Sequence, residues 1–128
     1  LALLQGLVAF LQAILARLGG ALKRDRSVWF SSPDGQPNRQ GGWTWFGVAV
    51  PGDIPKIGSV YIGIYTYVAV PQGREHEKGT RLELYKTRDD AEAIVSTPFG
   101  PTDLSHASLV RVLDDFVSAV RGAGVDHA

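Results

Sequence analysis

The densest group of residues able to do chemistry is Arg74-Glu75-His76-Glu77-Lys78. His76 with Glu75 or Glu77 supplies the donor types of a divalent-metal site, but neighbours in sequence converge poorly on one ion. Set between Gly73 and Gly79, the run reads as a solvated hairpin tip. Asp103, Ser105 and His106 are the residue types of an acyl-transfer triad. They fall at a helix start, where Asp103 and Ser105 serve as capping residues, and the sequence has no G-x-S-x-G elbow. Asp53, Glu83 and Lys86 carry the types of a metal-dependent nuclease, yet a strand sends Glu83 and Lys86 to opposite faces. The sequence also has no P-loop, G-x-G-x-x-G, H-E-x-x-H or EF-hand loop. No catalytic residue, metal-ligand set or cofactor follows from these residues. A small metal-dependent hydrolase or nuclease using Asp53, Glu75, His76 or Glu83 stands as an alternative reading.

Composition bounds the rest. The 128 residues fit one domain of ordinary size, and 45% hydrophobic residues make it globular. Thirteen basic residues balance thirteen acidic ones, which argues against nucleic acid as a partner. With no Cys there is no disulfide, thiol nucleophile or Cys-based metal site.

The elements that must position any site read in order as helix, strands, helix. Residues 1–23 form an amphipathic helix at about 100° per residue. Leu3, Leu4, Leu7, Val8, Phe10, Leu11, Ile14, Leu15, Leu18 and Leu22 make its large apolar face. Its other face is small and nearly uncharged, and Gly19-Gly20 can loosen or end it. Strands are expected at 27–31, 43–50, 57–70, 80–86 and 92–97, with a break at Pro51-Gly52-Asp53-Ile54-Pro55, and Gly58 and Gly63 mark either a bulge or a close packing point. Residues 31–42 and 71–79 are loops. A last helix over 103–121 presents Leu104, Ala107, Val110, Leu113, Val117 and Val120 at helical spacing. Short turns favour antiparallel pairing. The expectation is one α+β domain over 1–128, with an antiparallel sheet of about five strands in 27–97 and both terminal helices packed on one face.

Alternation along the strands divides the sheet. Val48, Val50, Val60, Ile62, Ile64, Leu82 and Leu84 share an aliphatic face that suits the Leu-rich helix. Trp43, Trp45, Tyr61, Tyr65, Tyr67, Arg81 and Tyr85 share the other face, with Glu83. Tyr and Trp pair an apolar body with a polar tip, so this face is the expected binding surface for a protein partner. Gly6, Ala9, Ala13 and Ala16 form the small face of the first helix. Such rows let helix backbones approach closely. Either that helix packs between the sheet and the last helix, or it meets its copy in a homodimer.

The ending TPFGPTDLSHASLVRVLDDFVSAV, with the opening helix, resembles in outline small secretion-chaperone-like α/β proteins. The middle helix of that fold has no counterpart here, so no family follows from the resemblance.

The expectation is therefore a non-enzymatic binding or assembly protein, cytoplasmic, using the aromatic face, the first helix or both. Membrane association through residues 1–22 is a further alternative. A span is disfavoured by Gln5, Gln12 and Arg17 within the stretch.

Overall fold

Leu and Ala dominate the first stretch, both strong helix formers, and a computed structural model shows α1 over Ala2–Arg17. It describes residues 2–22, 28–32, 42–87, 92–100 and 106–123. The helix is shorter than the expected 1–23, because Gly19 closes it. Gly19 takes φ +76°, and its N–H bonds Ala16 O at 3.0 Å while Gly20 N–H bonds Leu15 O at 2.7 Å. That paired closure satisfies the last carbonyls of the helix. The chain then turns straight into a two-residue strand, β1 (Ala21–Leu22), which the sequence pattern did not reveal.

The remaining strands are β2 (Val28–Ser32), β3 (Thr44–Ile54), β4 (Gly58–Ala69), β5 (Gly79–Tyr85) and β6 (Val95–Pro98). All pair antiparallel, in the order β1-β3-β4-β5-β6 with β2 also on β3. The described sheet thus has six strands where about five were expected, since β1 and β2 share one edge of β3. That sharing also explains the main correction to the strand limits. The expected break at Pro51 does not occur, and β3 continues to Ile54. Strand β2 pairs with Trp45 to Ala49, and β1 pairs with Gly52 and Asp53. Pro51 falls in the gap between them, where the ladder on that edge needs no N–H.

The β3–β4 turn is tight. Ile57 N–H bonds Ile54 O at 3.1 Å, and Lys56 between them takes φ 73°. The register irregularity in this pair lies between Thr44 and Trp45, not at Gly58 or Gly63. Gly63 is a close packing point, the other of the two expectations: a Cβ there would come within 2.6 Å of Val48 O and 2.7 Å of the Ala49 Cβ.

A final helix, α2 (His106–Ala123), follows. The expected capping residues Asp103 and Ser105 lie outside the described residues, as does Leu104. Both helices cover the aliphatic face. Leu11, Ile14, Leu15 and Leu18 of α1 and Phe116, Val117 and Val120 of α2 form one core with Val50, Ile54, Val60, Ile62, Ile64, Leu82, Leu84 and Val95. The buried line of α2 runs through Phe116, while Ala107 and Val110 of the expected stripe are exposed. Arg17 joins the helices through Asp114 at 3.0 Å, and the Arg121 guanidinium donates to Arg17 O at 2.9 Å.

Candidate functional site

The second face of the sheet carries its own core. Gly47 and Ala49 of β3 and Gly63 of β4 leave the backbone uncovered, so large rings from neighbouring strands can lie down across it. Trp45, Tyr65, Tyr67 and Tyr85 do so, with Trp43, Tyr61, Val70 and Ala93 packed around them. Tyr65 is central. Its ring centroid lies 5.4 Å from that of Trp45, 5.5 Å from Tyr85 and 6.4 Å from Tyr67. Trp43 meets Tyr67 edge-on at 5.4 Å. These separations suit edge-to-face and offset packing.

Glu83 is set among those rings and is 3% exposed. It sits on β5 opposite Gly63. Its Oε1 accepts from Tyr67 Oη at 2.5 Å and from Tyr85 Oη at 2.7 Å, and its Oε2 accepts from Ser96 Oγ at 2.6 Å. With both phenol protons directed to Glu83, the 3.1 Å contact between the two Tyr oxygens has no proton of its own. Arg81 completes the set from the next position on this face of β5. Its Nε donates to Ser96 Oγ at 2.6 Å and its Nη2 to Ser96 O at 3.2 Å. The network therefore ties β4, β5 and β6 together. A carboxylate taken out of water is tolerated only when its oxygens are satisfied in this way.

One end of the face is closed by ionic contacts. Glu75–Glu77 form a short 3₁₀ turn between β4 and β5. Arg74 before it lies over the Trp43 ring, 5.1 Å from the centroid. Its Nε bonds Glu77, and its Nη2 lies 3.7 Å from Glu92. The Glu77 hydrogen bond holds the Arg74 guanidinium above its ordinary value, and the same bond holds the Glu77 carboxyl below its own. Glu75 is also held low, by its own N–H and that of Gly73. The expected solvated tip is thus tied back to the sheet through Arg74, while Glu75, His76 and Lys78 remain exposed.

The expected aromatic site residues are brought together, with one correction. Trp45, Tyr65, Tyr67 and Tyr85 are buried, and Trp43, Tyr61 and Arg81 are half-buried. The face is therefore not the open surface anticipated from Tyr and Trp content. Sequence reasoning missed Ser96 and Arg74 as members of the cluster. Strand alternation placed Glu83 on this face, but only the β5–β6 register brings Ser96 opposite it.

The residues of the metal reading do not meet. Asp53 ends near the β3–β4 turn, exposed and accepting from Ser59 Oγ at 3.1 Å. Glu75 and His76 lie past the other end of β4, roughly 35 Å away along the strand at about 3.3 Å per residue. Among the described residues no three His, Asp or Glu side chains gather where they could hold an ion.

The small face of α1 is exposed. Gln5, Gly6, Ala9, Gln12, Ala13 and Ala16 all face outward, so this face is not packed between the sheet and α2. An open apolar pocket of about 210 Å³ lies where the two helices meet, lined by Phe10, Leu109, Val110 and Leu113. No helix among the described residues is long and apolar enough to cross a membrane.

No family model, curated protein or solved structure matches this chain.

Proposed function

We propose that this chain is a non-enzymatic binding or assembly protein that pairs with a second copy of itself through the exposed face of α1. The observation that supports the reading is the chemistry of that face. From Gln5 to Ala16 its outward positions hold only Gln, Gly and Ala, with no charged side chain until Arg17. A helix that only faces water usually carries charges along that side. Burying this face against its own copy would desolvate no ion, and Gly6, Ala9, Ala13 and Ala16 would let the two backbones approach closely. A two-fold interface requires such a self-complementary patch. The adjoining pocket at Phe10 and Val110 would add apolar area at the rim.

The chain has no Cys, so one introduced thiol gives a clean test. Ala13→Cys, on the proposed face, should oxidise rapidly to a covalent dimer at low protein concentration. Ser118→Cys, exposed on α2, should not. Equally slow oxidation of both would overturn the reading.

A second reading keeps Trp43, Trp45, Tyr61, Tyr65, Tyr67, Arg81 and Tyr85 as a partner-binding face. It is favoured by the polar groups of Glu83 and Arg81 among the rings. A partner bound there has to cover Trp43, which is half-buried, so Trp emission should shift on binding. A bound partner that leaves emission unchanged would remove this reading.

A further inference from the structure

We draw no further inference here: the strongest candidate, the buried cluster of aromatic rings around Glu83 on the sheet face away from the helices, belongs to the site already described, and none of the described residues shows what covers it.

Discussion

Tyr67 and Glu83 are sixteen residues apart in sequence, yet the phenol hydroxyl lies 2.5 Å from the carboxylate. The contact crosses from β4 to β5 inside an aromatic layer, and Ser96 carries it on to β6. A buried polar group satisfied from three directions stabilises one register over its neighbours, because a slip would strand the carboxylate without donors.

Replacing Glu83 should therefore cost more than removing one of its donors. Glu83→Gln keeps the shape but turns an NH₂ donor toward hydroxyls that already donate. The expected loss is about 1–3 kcal/mol, the usual cost of a buried polar group left badly matched. Tyr67→Phe should cost less, because Tyr85 still donates to the same oxygen. Urea unfolding of the two variants measures both. A Glu83→Gln chain as stable as wild type would show that the network contributes nothing.

Gly63 makes the second prediction. A methyl group there would press on Val48 O, Ala49 Cβ and Ala49 Cα, all within 2.9 Å. Two of these atoms are backbone, so the β3–β4 pair would have to move apart. Gly63→Ala should destabilise by about 1–3 kcal/mol, the range for overpacking. Gly122→Ala is the control, since a Cβ at Gly122, exposed on α2, meets nothing within 4 Å. It should leave stability unchanged or raise it by up to about 1 kcal/mol through helix propensity. Thermal unfolding that ranks the two variants the other way would contradict the packing described.

Acid should weaken the Arg74–Glu77 contact. The Glu77 carboxyl is held below its ordinary value, near 4.5, first by the Arg74 hydrogen bond. A lowered value in the folded state means that the unfolded chain takes up the proton first. The contribution is complete above the ordinary value and is lost as pH falls through the lowered one. Arg74 is more than a third exposed, so the whole effect stays below about 1 kcal/mol. Glu77→Gln should be slightly less stable than wild type at about pH 6, and the gap should narrow as the pH falls below the ordinary carboxyl value of 4.5. A gap that does not change across that range would show that the pair carries no stability.

The two faces of the sheet were legible because side-chain direction has a period of two. That rule alone puts Trp45, Tyr65, Tyr67 and Tyr85 on one side and Val50, Ile62 and Leu84 on the other. The antiparallel sheet and the two helices followed from turn lengths and apolar spacing. What escaped depended on contacts between distant segments. Pro51 reads as a strand breaker until β1 and β2 are seen to leave a gap at it. Val110 reads as core until α1 is placed and Phe116 takes the inward position. Ser96 and Arg74 joined the cluster through strand register and a loop turn, and neither leaves a local pattern. The burial of the aromatic face is a tertiary fact of the same kind.

Self-association through α1 is the central claim, and light scattering tests it most directly. Wild type should have twice the chain mass, and a variant carrying Ala9→Glu and Ala13→Glu should be a monomer with unchanged circular dichroism. Both positions are exposed, so the new charges meet water in the single chain and each other across the proposed interface. A wild-type monomer, or a double variant that remains a dimer, would contradict the claim.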